Sequence, residues 1–223
     1  MNDNLKSRRI LTLVDVRAVE LGYSDEPLVD VQKYDSNVIA EPEQEEMLQY
    51  TGQKILVRND VARRLAKANQ ILGNSFNLRV VFGYRHPKIQ RQYFERERRK
   101  IAKSCSNLTE EEIDAATHNL VAVPEVAGHP MGAAVDLTIV SASGKVIDMG
   151  TGISEFDKPE LIPTFAPNVS AKQMENRLKL HDAMVAAGFA PFYGEWWHFS
   201  YGDREWAAFH GRPRAIYGEI MLK

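Results

Sequence analysis

"AAVDLTIVSASGKVIDMG", residues 133–150, decides the fold. Val135, Leu137 and Ile139 recur at every second position, the period of a strand whose side chains alternate between two faces. Ser141–Lys145 ("SASGK") then supplies turn residues and a second short apolar run follows, so the stretch predicts a β-hairpin. Asp136 breaks its pattern. A carboxylate among Ala133, Ala134, Val135, Leu137 and Ile139 is costly to bury unless a metal, a cation or backbone donors pair with it. Taken alone, such an aspartate is more often a hydrogen-bonded structural group.

Upstream of the hairpin, "FNLRVVFGY" (76–84) reads as a strand entering a turn at "RHPK", and "LTLVDVRAV" (11–19) as an early strand. Helical periods run through "RNDVARRLAKANQILGN" (58–74), with Asn59 as the cap and Gly73 as the stop, and through "KIQRQYFERERRKIAK" (88–103). Thr109 with Glu112 forms a capping-box signature ahead of a third helix, and Ser170 caps a fourth that Gly188 ends. Residues 151–170, with three prolines, read as a long surface loop, and two strands follow the fourth helix. Strands cluster late instead of alternating with helices. This order predicts an α+β fold, a mostly antiparallel sheet flanked by helices, in one domain spanning residues 1–223.

Bulk properties exclude several classes. A formal net charge of −2 gives no reason to expect nucleic acid or an anionic membrane as partner. The basic run 91–100 carries Gln92, Glu95 and Glu97 among its bases and reads as a solvated helix face. One cysteine, Cys105, rules out an intramolecular disulfide, and it has no neighbouring base to activate it. The N-terminal apolar run is broken by Asp15, Arg17 and Glu20, so it does not read as a secretion signal, and no run approaches a membrane span. Cytoplasm is the default expectation. Periodicity leaves the oligomeric state open.

Two stretches carry chemistry. In "AGHPMGAAVDLTI" (127–139), His129 precedes Asp136 by seven residues, with Gly132 permitting a reversal between them. In "YGEWWHFSYGD" (193–203), Glu195 lies three residues before His198. His129, Asp136 and His198 make a two-nitrogen, one-oxygen set that suits Zn²⁺ with a position open for water. Glu195 is then free to act as general base. In a strict strand, Glu195 and His198 would point to opposite faces, so a turn near Gly194–Trp196 is required. Arg85, between an apolar strand and a proline, is placed to steady an oxyanion or to sit at the surface; His86 reads as exposed. His118 and His181 read as helix surface or packing, His210 as a turn residue, and Trp196, Trp197 and Trp206 as wall and core.

These stretches resemble a known family. "GHPMGAAVDLT" is similar to the S-x-H-x-x-G-x-A-x-D motif of zinc D,D-peptidases, "GEWWHF" to their E-x-W-H motif, and "GYRHP" to the Y-R-P segment that carries their active-site arginine. "KYDSN" (33–37) and "DMGTGISEFD" (148–157) resemble further family segments, so the likeness spans roughly residues 30 to 200. Within that superfamily, the chain most resembles the zinc D-Ala-D-Ala dipeptidases of the vancomycin-resistance type. The resemblance implies one zinc per chain on His129, Asp136 and His198, Glu195 as base, Arg85 as oxyanion stabiliser, and a small D-dipeptide as substrate. It implies a compact α+β domain with an antiparallel sheet beneath the zinc. It also places Tyr34, Ser154 and Asp157 at the substrate's amino end. Two positions depart from the pattern: Ala127 stands where the motif has serine, and Ser154 where the dipeptidases carry the aspartate that holds the free amino group. Both bear on substrate binding. They keep open a carboxypeptidase of the same superfamily, acting on longer wall peptides. A non-catalytic zinc-binding module is the reading from another class, and Glu195 weighs against it.

Overall fold

The computed structural model describes residues 8–105 and 107–222. Residues 1–7, part of the segment read above as too polar for a secretion signal, lie outside it, as does Ser106. The chain opens with helix α1 (Leu13–Arg17), not with the strand that its apolar alternation predicts. The reason is local. Thr12 accepts from the Asp15 N–H while the Asp15 carboxylate accepts from the Thr12 N–H, a capping box that nucleates a turn. Then follow β1 (Leu28–Asp30), β2 (Ile39–Ala40), α2 (Leu48–Thr51), β3 (Leu56–Arg58) and α3 (Asn59–Leu72). Asn59 is the first residue of α3; Arg58 occupies the cap position, and the Asn59 side chain is turned toward Lys33 and Tyr34. Gly73 ends the helix at φ +73°, a conformation glycine adopts without a Cβ penalty.

Next are β4 (Phe76–Phe82), α4 (Pro87–Ser104), α5 (Glu110–His118) and β5 (Ala134–Ser141). The chain finishes with α6 (Ala171–Ala186), β6 (Ala190–Pro191), β7 (His198–Ser200) and α7 (Arg204–Phe209). The capping boxes expected at Thr109 and Ser170 are both present. The main sheet has five strands in the order β2-β4-β5-β7-β6, and every pair except β2–β4 is antiparallel. The α+β, mostly antiparallel expectation therefore holds. A separate pair joins β1 to β3.

The hairpin predicted at 133–150 is reduced. β5 is a full strand, but its return arm is a single bridge, Val140 to Val146, closed by the Ser141 N–H to the Lys145 carbonyl. β5 lies in the centre of the sheet, and residues 134–140 are buried on both faces. Its alternation thus marks large against small residues more than inside against outside. Nor is residues 151–170 a pure surface loop. Ile162, Thr164 and Ala166 are buried, and Arg177 of α6 donates to the carbonyls of Met149, Leu161 and Pro163, all at 2.7 Å. One buried guanidinium thereby satisfies three loop carbonyls that would otherwise be orphaned.

The C-terminal tail runs beneath the loop that joins α5 to β5. The Ile220 N–H donates to the Pro130 carbonyl, the Tyr84 hydroxyl donates to the Ile220 carbonyl, and Arg58 donates to both Gly218 and Met131. No helix of the described residues is long and apolar enough to cross a membrane.

Candidate metal centre and catalytic cavity

Strand register builds the site. Phe82 of β4 pairs with Asp136 of β5, which pairs in turn with His198 of β7, so the three lie in one row across the sheet. His129 enters from above on a one-turn 3-10 helix, His129–Met131, which Gly132 ends at φ +67° in the left-handed region. Arg58 holds that turn from behind, its N–H on the Gly132 carbonyl at 2.8 Å and its Nε on the Met131 carbonyl at 2.8 Å.

One ligand atom from each of His129, Asp136 and His198 lies within 4.8 Å of the others. Asp136 bridges the imidazoles, with Oδ1 2.8 Å from His198 Nδ1 and Oδ2 3.3 Å from His129 Nε2. His129 Nδ1 donates to the Gly83 carbonyl at 2.7 Å. That bond fixes the tautomer and leaves Nε2 with its lone pair toward the cluster, the outer-shell arrangement of metal-binding histidines. The donor set, two imidazole nitrogens and a carboxylate, fits Zn²⁺ with a fourth position free.

Electrostatics agree with this grouping. Burial works to raise the Asp136 carboxyl, but the two imidazoles overcome it and hold the group well below the usual carboxylate range. Burial keeps His129 below the ordinary imidazole value, so it stays neutral as a ligand must. Burial opposes the charge on His198 too, yet the hydrogen bond and charge of Asp136 push it up to about 10. Asp136 and His198 thus form a close ion pair beside a neutral His129, and binding a metal would require His198 to release its proton.

The turn demanded between Glu195 and His198 exists. The Glu195 N–H donates to the Phe192 carbonyl and the His198 N–H donates back to the Glu195 carbonyl at 3.3 Å. The chain reverses at 193–197, and both side chains face one cavity. Burial pushes the Glu195 carboxyl up to about 8, above its neighbours' range and into that of a general base or acid at neutral pH. Arg85, following β4, is buried on the other side of the row. Its Nη1 donates to Gln90 at 2.8 Å, and the Gln44 amide oxygen, oriented to satisfy both groups, accepts from Nη2 and Nε. Two neutral amides hold the guanidinium and leave its charge unspent.

The cavity has a volume of about 570 Å³ and reaches from the three candidate ligands to α4 and the end of α5. Of the residues expected at the substrate's amino end, Ser154 lines it, on a left-handed turn at φ +58°. Asp157 is exposed and is not part of the cavity lining. Tyr34 is not part of it either; its hydroxyl donates to Asn59 at the surface. His86 is buried, not exposed: it stacks on Tyr50 at 4.0 Å and its Nδ1 accepts from the Lys88 N–H, capping α4. His118, at the cavity's far end, accepts from the Val123 N–H, and burial lowers it to about 4. Glu205, on α7, also lines the cavity and is absent from the expectations above. Its sequence context, two residues past an N-capping aspartate, reads as ordinary first-turn charge and carries no signal of the site.

A family model described as D-ala-D-ala dipeptidase matches residues 23–213. A D-alanyl-D-alanine dipeptidase of Synechocystis sp. is 39% identical over 88 residues, 35% of this chain and 36% of that protein. One of Escherichia coli is 38% identical over 71 residues, 32% of this chain and 36% of that protein. The aligned part thus spans about a third of these relatives' lengths. Among solved structures, the vancomycin-resistance D,D-pentapeptidase VanY in complex with Zn(II) covers 87% of this chain and 95% of its own at 18% identity and a TM-score of 0.43, a likeness too low to bear on this chain's chemistry. The family model extends across the row of Phe82, Asp136 and His198 and both flanks of the cavity, and by that match the chain belongs to the D-Ala-D-Ala dipeptidase family.

Proposed function

We propose that the protein hydrolyses D-alanyl-D-alanine or a similarly small D-dipeptide, using Zn²⁺ held by His129, Asp136 and His198. The observation that carries this reading is the convergence of three ligand atoms within 4.8 Å beside a half-buried glutamate that lines the same cavity. Zinc bound there supplies Lewis acidity, polarising a carbonyl and acidifying water. The protein residues do the rest. Glu195 takes the proton of the attacking water and delivers it to the departing amine, a task its raised pKa suits. Arg85, held rigid by Gln44 and Gln90, presents fixed positive charge to the oxygen that gains negative charge. Phe192 and Trp197 wall the cavity and limit water around the reacting atoms.

The cavity's volume favours one second reading, a carboxypeptidase that accepts longer peptides. The deciding experiment measures D-alanine release by zinc-loaded protein from D-Ala-D-Ala and, in parallel, from an N-acetylated tripeptide ending in D-Ala-D-Ala. Release from the dipeptide alone is the expected result. Release from the tripeptide moves the assignment to carboxypeptidase. Release from neither, with zinc bound, overturns both.

A further inference from the structure

The carboxylates that line the cavity can be accounted for one at a time. Glu43 is ion-paired with Arg79 at 3.1 Å and Glu97 with Lys100 at 2.8 Å. Glu46 is exposed at the mouth and meets the Tyr93 hydroxyl. Asp136 belongs to the metal cluster and Glu195 to the reaction. Glu205 remains. Its Oε1 is buried and has no hydrogen-bond partner among the described residues. A buried carboxyl oxygen without a partner is costly to keep, and one that lines a cavity is open to completion by a ligand.

Its position relative to Arg85 gives the ligand's chemistry. In the sheet order, β5 with Asp136 lies between β4 and β7. Arg85 follows β4, and α7 with Glu205 follows β7, so the two approach the metal cluster from opposite flanks. Amides, not an acid, hydrogen-bond Arg85, and no described donor meets Glu205 Oε1. The cavity therefore carries a guanidinium on one side of the row and, on the other, a buried carboxyl oxygen that meets no described donor. With Arg85 given to the oxygen that gains negative charge, what the Glu205 side lacks is a donor, and an ammonium group supplies one whose charge also favours the ionised carboxylate. Ser154, neutral and on an exposed turn, supplies no charge for an ammonium group.

Resting on the dipeptidase reading above, we infer that Glu205 is a substrate-positioning residue: it accepts the free ammonium group of the dipeptide and so selects against substrates whose amino end is blocked or extended. The bond it makes is ionic and is present in the bound ground state and in the transition state alike, so its loss weakens binding more than turnover.

The test compares wild type, Glu205→Gln and Glu205→Asp on D-Ala-D-Ala and on N-acetyl-D-Ala-D-Ala, with zinc content measured for each. Wild type is expected to prefer the free dipeptide. Glu205→Gln is expected to raise KM for the free dipeptide about 10- to 100-fold, the loss of one charged hydrogen bond, while kcat changes little. It should leave the blocked dipeptide's kinetics unchanged, so the preference collapses. Glu205→Asp, which keeps the charge on a shorter arm, should recover part of it. Isothermal titration of the metal-free proteins with D-Ala-D-Ala gives a readout independent of turnover, with weaker binding expected for Glu205→Gln. An equal loss on both dipeptides, a loss of zinc, or an unchanged preference in Glu205→Gln overturns the inference while wild-type dipeptide hydrolysis leaves the dipeptidase reading intact. If wild type cleaves neither dipeptide, that reading fails and this inference falls with it.

Discussion

At the scale of single residues, the proposed function separates the three side chains assigned to the metal from Glu195, assigned to the proton. Glu195→Gln removes the proton acceptor but keeps shape and most hydrogen bonding. It is expected to lower kcat by about 10²- to 10⁴-fold with zinc content unchanged, which steady-state kinetics and metal analysis check together. Ionisation makes a second prediction, for the metal-free protein. Glu195 and Glu205 have folded pKa values raised to about 8 and about 7, and His198 is raised to about 10. In each case the folded chain holds a proton that the unfolded chain has released. Stability is therefore fully present below the unfolded values and is lost as pH rises, first through the carboxyls and then through His198. Urea denaturation of metal-free protein at pH 6, 8 and 9.5 should show falling midpoints; a rise would contradict the assignment. His118 works in the opposite sense at the acid end, because its folded value of about 4 makes protonation below pH 6.5 favour unfolding. The grouping of His129, Asp136 and His198 beside Glu195 was legible in the sequence because the proposed chemistry constrains their types and spacing. Glu205 and the glutamines that hold Arg85 were not, since side chains from α7, α4 and the segment before α2 meet only through the tertiary fold.

At the scale of elements, local rules decided most of the outcome. The helices at 110–118 and 171–186 follow from caps visible in the sequence and the helix at 87–104 from its periodicity, its His86 cap emerging only in the structure. Ser170→Ala should cost about 1 kcal/mol, because the Gln173 N–H at the start of α6 loses its acceptor. A denaturation midpoint shift with unchanged KM is the expected signature, since α6 lies outside the cavity lining. The two misreadings are equally local. At 11–19 the alternation of apolar residues outweighed the Thr12–Asp15 capping box, although both signals were present. At 141–150 the turn formed, but Arg177 draws the following segment into the loop that it organises and leaves no full partner strand.

For the whole molecule, the candidate metal ligands come from a loop turn and two strands, with His198 62 positions after Asp136. The unfolded chain has no comparable site, so on the proposed function metal binding adds to folding energy. At a free zinc concentration about 100-fold above Kd, linkage adds about 2.7 kcal/mol. For a chain of this size that corresponds to a Tm rise of roughly 5–10 °C, reversed by a chelator and restored on re-addition. Calorimetry with and without chelator checks it; an unchanged Tm with zinc demonstrably removed would detach the metal from the fold. The C-terminal tail extends the same dependence to residues that touch neither metal nor substrate. Its bonds at Gly218 and Ile220 brace the turn that presents His129. A preparation nibbled by exopeptidases past Ile220 would then behave on the bench like an active-site mutant, losing zinc and turnover although every reactive side chain is intact, and mass spectrometry of the intact chain, not resequencing of the gene, is what would reveal the cause.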